Sequence, residues 1–118
     1  MLIVDDERDS LLSLGLLCRE EGMEVRLLRE AASVEAVVAE FRPDVVLLDI
    51  VMPERNGLEI AEELTRRYGE RCPVLVAVSA YSDEADRRMA RLAGFHEFIA
   101  KPYEPQTLIR RLSLLRPR

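Results

Sequence analysis

No apolar run in this sequence approaches the roughly 18 residues that a bilayer-spanning helix needs, and its first residues carry no basic-then-apolar leader. The expectation is a soluble, cytoplasmic protein with no membrane attachment. Cysteine is scarce. Cys18 lies in an apolar helical pattern and Cys72 precedes Pro73, so the two form no disulfide framework and read as reduced thiols. Positive charge is not in excess: 17 Lys and Arg stand against 22 Asp and Glu, a net of −5. That excludes a surface binding nucleic acid as a whole and leaves room only for a local basic patch. Histidine occurs once, as His96, and a single histidine suggests no ligand set. Linkers, low-complexity tracts and internal repeats are all missing, so the 118 residues read as one domain, 1–118, long enough for a real core.

What is present is organised around Pro43-Asp44-Val45-Val46-Leu47-Leu48-Asp49-Ile50-Val51-Met52-Pro53. The apolar residues 45–48 read as a strand buried on both faces. It runs straight into a carboxylate, Asp49, and then into a Pro-containing loop closed by Asn56-Gly57. Leu2-Ile3-Val4 is a shorter run ending in Asp5-Asp6-Glu7; it is short for a central strand, which leaves room for further residues before it. Leu11, Leu12, Leu14, Leu16 and Leu17 suit a helix over 8–21, closed by Gly22. Residues 23–28 alternate apolar and charged, as in an outer strand with one solvated face. Ser33 is a possible N-cap for a helix through Phe41, which stops before Pro43.

The pattern then repeats. Leu58, Ile60, Ala61 and Leu64 mark a third helix ending near Tyr68-Gly69, and 73–79 is a second continuous apolar strand ending in Ser79. Ser82 or Asp83 caps a fourth helix through Met89, Leu92 and Ala93, stopped by Gly94. Residues 95–100 form a last strand ending at Lys101-Pro102, and 104–115 a last helix with Leu108, Ile109, Leu112 and Leu115 inward.

Five alternations of strand and helix call for a parallel sheet covered on both faces by right-handed crossovers. The expected fold is α/β, a single doubly wound five-stranded sheet of order 2-1-3-4-5 in the flavodoxin-like (βα)5 arrangement. This order brings Asp5, Asp6, Asp49, Ser79 and Lys101 to one edge of the sheet. Three crowded carboxylates repel one another unless a cation is present. Oxygen-only ligands suit a hard divalent ion, Mg²⁺ or Mn²⁺. An acidic pair, a lysine and a hydroxyl around a further Asp are the equipment of phosphoryl transfer, with Asp49 as the nucleophile.

Together, Ile3-Val4-Asp5-Asp6-Glu7, the segment from Asp49 to Gly57, Ser79-Ala80 and Lys101-Pro102 resemble the receiver domain of two-component response regulators over essentially the whole chain. The resemblance implies that Asp49 is the phosphoacceptor and that Asp5, Asp6, Asp49 and the Val51 carbonyl hold the metal. Lys101 matches the phosphate-binding lysine, Ser79 the switch hydroxyl and Phe98 the switch aromatic. Pro102 matches the proline that follows a cis peptide bond. Val51 and Tyr81, two residues after Asp49 and Ser79, match positions that overhang the phosphate and tune its loss.

The implied partner is a histidine kinase or histidine phosphotransfer protein. The implied output is the helix 4–strand 5–helix 5 surface, serving a homodimer or a downstream protein without direct nucleic acid binding. Such a chain is not a conventional enzyme, although it catalyses its own phosphorylation and slow dephosphorylation. The segments 77–82, 93–95 and 100–105 are similar in flavour to receivers of hybrid histidine kinases. His96-Glu97 stands where many DNA-binding regulators carry an acidic pair, which argues against their characteristic dimer. The chain is then either a stand-alone receiver or one part of a longer regulator.

Other readings of the same residues remain. Asp5 and Asp6 alone would serve as a helix N-cap and first-turn acid. Arg87, Arg88, Arg91, Arg110 and Arg111 read first as solvated helix faces and second as a basic docking patch. A pseudo-receiver that binds a partner without phosphorylation is expected to have lost an acid or the lysine, and here all are present. A Mg²⁺-dependent aspartyl phosphatase of the haloacid dehalogenase type needs a second acid where Val51 stands. A nucleotide binder needs glycine-rich strand-end loops, which are absent.

Overall fold

The computed structural model describes residues 1–115. Five strands, β1 (Leu2–Val4), β2 (Arg26–Leu28), β3 (Val45–Asp49), β4 (Val74–Ser79) and β5 (Glu97–Ala100), alternate with α1 (Arg8–Glu20), α2 (Val34–Phe41), α3 (Gly57–Tyr68), α4 (Glu84–Ala93) and α5 (Pro105–Leu114). All four pairings are parallel and the order is β2-β1-β3-β4-β5, as the alternation predicts.

Strand periodicity divides the core in two. Leu2, Val4, Val46, Leu48, Leu75 and Ala77 point toward α2, α3 and α4. Ile3, Val45, Leu47, Val76, Val78 and Ile99 point toward α1 and α5. Both faces are covered, so the central strands are apolar at successive positions and only their C-terminal ends can carry polar groups.

Several boundaries depart from the sequence expectation. The chain leaves α1 through Gly22 at φ 83°, with the Gly22 N–H donating to the Arg19 carbonyl (2.9 Å) and the Met23 N–H to the Cys18 carbonyl (3.1 Å). That is a Schellman closure with Met23 as its buried apolar contact. Residues 23–25 therefore finish the helix cap, and β2 begins only at Arg26. Ser33 does not cap α2: its hydroxyl bonds the Glu30 carboxylate, and a 3-10 turn over Ala31–Ser33 provides the first turn. Arg42 ends α2 in the left-handed region (φ 51°), since the residue before a proline is barred from continuing the helix.

Asp83 rather than Ser82 caps α4, in a reciprocal box with Asp86. Phe95 donates its N–H to Ala90 and so closes α4 instead of opening β5. On α1, Leu12 and Leu16 face solvent. On α4 the buried residues are only Ala90 and Ala93, while Met89 is exposed and Leu92 is 77% exposed. Leu115 is half-buried against the α1–α5 core.

Candidate functional site

The C-terminal ends of β1, β3, β4 and β5 meet at one edge, and the loops that follow aim their side chains there. The Asp5 N–H donates to the Leu28 carbonyl (3.1 Å), extending the β1–β2 ladder, and Asp5 Oδ1 accepts the Glu7 N–H (2.9 Å). Glu7 is the N-cap of α1, accepting from Asp9 N (3.2 Å) and Ser10 N (2.8 Å). The helix thus has its capping carboxylate without Asp5 or Asp6, and both are left at the edge. Arg29, in the loop after β2, directs Nε and Nη2 toward the Asp6 carbonyl at 3.4 Å.

Asp49 is 6% exposed. Its Oδ1 accepts the Val51 N–H (3.1 Å), and its Oδ2 accepts from Lys101 Nζ at 2.9 Å. Carboxylate oxygens of Asp5, Asp6 and Asp49 lie within 4.8 Å of one another. Lys101 reaches Asp49 because its N–H continues the β4–β5 ladder to the Ser79 carbonyl (2.9 Å), after which the Lys101–Pro102 bond is cis. Ser79 is buried and its Oγ accepts the Tyr81 N–H at 3.0 Å. The loop after Asp49 is held from both sides. Asn56 caps α3 through the Leu58 N–H (2.8 Å), and Arg55 grips Glu35 of α2 at 2.6 Å.

Burial pushes the Asp5 carboxyl above its usual range, with the charges of Asp49 and Asp6 adding to it, against the Glu7 N–H and Lys101. For Lys101, burial alone would lower the pKa, but the hydrogen bond and charge of Asp49 outweigh it and the amine is raised. The site is therefore a like-charged acidic cluster with the Lys101 ammonium held beside it. A set of closely spaced carboxylate oxygens, with no nitrogen or sulfur donor, fits a small hard divalent ion.

The remaining expected residues lie around this centre. Val51 and Tyr81 are exposed, at 55% and 65%. Phe98 is half-buried on β5, and the Arg87 guanidinium lies 4.9 Å from its ring centroid. Arg87 Nε also donates to the Ser82 carbonyl (3.1 Å), joining the loop after Ser79 to the ring. Tyr103, whose place no motif in the sequence marks, lines a narrow crevice with Asp5 and Asp49. Burial raises its phenol pKa, and the charge on Asp5 adds to the effect. Its position two residues beyond Lys101 was a usable signal. Nor could the sequence assign Arg87 to Phe98, because that contact joins two separate elements.

The comparisons agree with this geometry. The chain spans 98% of itself against the response regulator MprA of a Mycobacterium species (strain KMS), 34% identical over 116 residues and covering 49% of that protein. It is 30% identical over 112 residues, 95% of its length, to the DNA-binding response regulator MtrA of Mycobacterium tuberculosis H37Rv, covering 48% of MtrA. The chain thus spans about half the length of these curated relatives. Among solved structures it is similar to a CheY-like response regulator receiver domain protein from Methanospirillum hungatei. There the TM-score is 0.87 at 26% identity, with 96% of this chain and 89% of that one covered. The family model described as the response regulator receiver domain matches residues 1–113, and with a five-stranded parallel sheet whose β1, β3 and β5 deliver acids and lysine to one edge, the chain belongs to that family.

Proposed function

We propose that this chain is the phosphoacceptor of a phosphorelay, taking a phosphoryl group from a histidine kinase or phosphotransfer protein onto Asp49. One observation carries the reading: the Asp49 carboxylate is held by Lys101 at 2.9 Å beside two further carboxylates, an arrangement with no packing purpose at a buried strand end. In the transfer, an Asp49 oxygen bonds to phosphorus while the phosphorus–nitrogen bond of the donor phosphohistidine breaks and the imidazole leaves. Lys101 is the fixed cation that receives the charge of the transferred oxygens. Mg²⁺ held by Asp5, Asp6, Asp49 and the Val51 carbonyl would supply further positive charge against the same oxygens.

After transfer, Ser79 Oγ leaves the Tyr81 N–H that it accepts and its hydroxyl donates to a phosphate oxygen, and Phe98 turns inward into the space so opened. Phe98 lacks a hydroxyl, so the link between ring and β4–α4 loop falls to Arg87, which touches both. Moving such a switch from mostly off to mostly on takes on the order of 5 kcal/mol of differential phosphate binding. The reading implies a cytoplasmic location; among the described residues no helix is long and apolar enough to cross a membrane. Incubation with acetyl phosphate and Mg²⁺, read by intact mass, is the test. One added phosphoryl group mapped to Asp49 is expected, and a folded, Mg²⁺-stabilised chain that stays unlabelled would overturn the reading.

Asp6→Asn removes one like charge from the cluster, so the metal-free variant is expected to melt above the parent. Its response to Mg²⁺ should shrink. At a concentration ten times the dissociation constant the parent gains about 1.4 kcal/mol, and Asp6→Asn should gain clearly less in parallel thermal melts. An undiminished Mg²⁺ response would remove Asp6 from the metal site.

Neither Val51 nor Tyr81 can act as a base toward water attacking an acyl phosphate, and both are bulky and exposed beside the edge. Self-hydrolysis is therefore expected to be slow. The double variant Val51→Asn, Tyr81→Glu should shorten the phosphate half-life about tenfold, about 1.4 kcal/mol in barrier. The effects of the single variants need not add. If the double variant holds its phosphate as long as the parent, these side chains do not gate the water.

A further inference from the structure

The phosphoryl transfer proposed above leaves Tyr103 without a part, yet the loop that carries it is held on both sides. Before it, the Lys101 N–H donates to the Ser79 carbonyl (2.9 Å) and Lys101 Nζ to Asp49. After it, Glu104 caps α5 by accepting from Gln106 N (3.1 Å) and Thr107 N (2.9 Å). The ring between these anchors is half-buried and packs on the α1–α5 side of the core. It borders an open hollow along α1, with Ser10, Ser13 and Leu17, and it also closes the crevice beside the acidic edge.

That crevice measures about 10 Å³, room for one water molecule and nothing larger. Its walls are apolar residues of β1, β3, β4 and α1, and the polar side chains that line it are Asp5, Asp49 and Tyr103. Groups of this kind and number are what a held water needs. Both Asp49 oxygens already have partners, the Val51 N–H on Oδ1 and Lys101 on Oδ2. Asp5 differs. Its Oδ1 accepts the Glu7 N–H, whereas its Oδ2 accepts no hydrogen bond from the described residues. The Tyr103 hydroxyl likewise has no hydrogen-bond partner among them. Burial raises its phenol pKa, and of the charges acting on it that of Asp5 comes first, ahead of Lys101 and Asp49. The hydroxyl therefore keeps its proton at neutral pH and meets Asp5 as a donor.

We propose that Tyr103 is a positioning residue for the divalent ion: its hydroxyl donates to a water in the crevice, and that water donates to Asp5 Oδ2. A carboxylate held through one oxygen turns readily about its Cβ–Cγ bond, and a second hydrogen bond fixes its plane. Ligating carboxylates are fixed by outer partners of this kind, whose loss weakens metal binding about ten- to a hundredfold. A purely structural tyrosine fits poorly, because the ring supplies the packing and the hydroxyl at the crevice adds none. The inference rests on the metal site of the reading above, with Asp5 as a ligand.

The test is Tyr103→Phe, which deletes the hydroxyl and keeps the ring. Mg²⁺ is titrated by calorimetry into chain stripped of metal, with thermal melts in chelator alongside. The dissociation constant is expected to rise about tenfold, and the metal-free melting temperature to stay at the parent value. The Mg²⁺ concentration giving half-maximal Asp49 labelling should rise by the same factor, while labelling at saturating Mg²⁺ should match the parent. A side chain that only packs moves neither. Tyr68→Phe is the control: Tyr68 ends α3, about 18 Å along the helix from its start at the acidic edge, and its variant should bind Mg²⁺ as the parent does. Unchanged affinity in Tyr103→Phe, or an equal loss in Tyr68→Phe, would overturn the proposal. So would a slower maximal rate at saturating Mg²⁺, which would place the hydroxyl on the transferring group instead. A parent that takes up no Mg²⁺ overturns this inference and the metal site together. Weaker Mg²⁺ binding in the variant with no labelling of either chain rejects only the phosphoacceptor.

Discussion

Asp49→Asn is expected to abolish phosphorylation outright while leaving the fold intact. The amide matches the carboxylate in volume and its oxygen can still accept the Val51 N–H that now binds Oδ1. What it lacks is an anionic oxygen to bond to phosphorus. Lys101, at 2.9 Å from Oδ2, loses its charged partner but is partly exposed and can turn to water. Asp5 gains, because the charge of Asp49 is among the causes that raise its pKa. The variant should therefore melt no lower than the parent without metal, which separates loss of the nucleophile from loss of structure. Labelling by acetyl phosphate followed by peptide mapping is the measurement. Persistence of the label at the wild-type rate would show that the nucleophile is another residue.

The second large effect is expected from Gly57→Ala. A Cβ on Gly57 would lie 2.7 Å from Ile50 Cα and 2.9 Å from the Asp49 carbonyl oxygen. These are backbone atoms at the end of β3, so no side-chain rotation can relieve the contact. The Gly57 N–H also donates to the Ile50 carbonyl at 2.8 Å, so the start of α3 is pinned where the clash occurs. Helix and strand end must separate, at a cost of about 1–3 kcal/mol, a fall in melting temperature of roughly 4 °C per kcal/mol for a domain of this size. The residue displaced is the neighbour of Asp49, so labelling should slow as well. Gly22→Ala is the control: nothing lies within 4 Å of its Cβ, but its φ of 83° strains any L side chain by about 1–2 kcal/mol. It lies between α1 and β2, away from the acidic edge, and should lower the melting temperature with labelling unchanged. If Gly57→Ala melts and labels like the parent, the close approach of α3 to β3 does not position Asp49.

The sequence determined the sheet and the contents of its acidic edge. Unbroken apolar runs at 45–48 and 74–78, too short for helices and rich in valine, read as strands covered on both sides, with their polar last residues, Asp49 and Ser79, at the strand ends. Lys101 carried a stronger signal than its motif. It is the only lysine among 17 basic residues, and a compact, strongly hydrated ammonium is not interchangeable with the planar guanidinium used everywhere else. Such features are legible because they depend on contacts near in sequence and on a period of two.

Tertiary structure decided what depends on how each helix rolls on the sheet. Leu12, Leu16 and Leu92 fit a helical apolar pattern and still face water, because α1 and α4 seat other residues, Leu11 and Leu14 on one and Ala90 and Ala93 on the other. That Glu7, not Asp5 or Asp6, caps α1 was settled by where the chain turns after β1. The Arg87–Phe98 contact and the place of Tyr103 beside Asp5 and Asp49 arise between elements brought together only when the sheet closes. Local hydrogen bonding and side-chain period fix which elements form and in what order. The rotation of a helix about its own axis is set by the shapes of the surfaces that meet, and these belong to residues far apart in the chain.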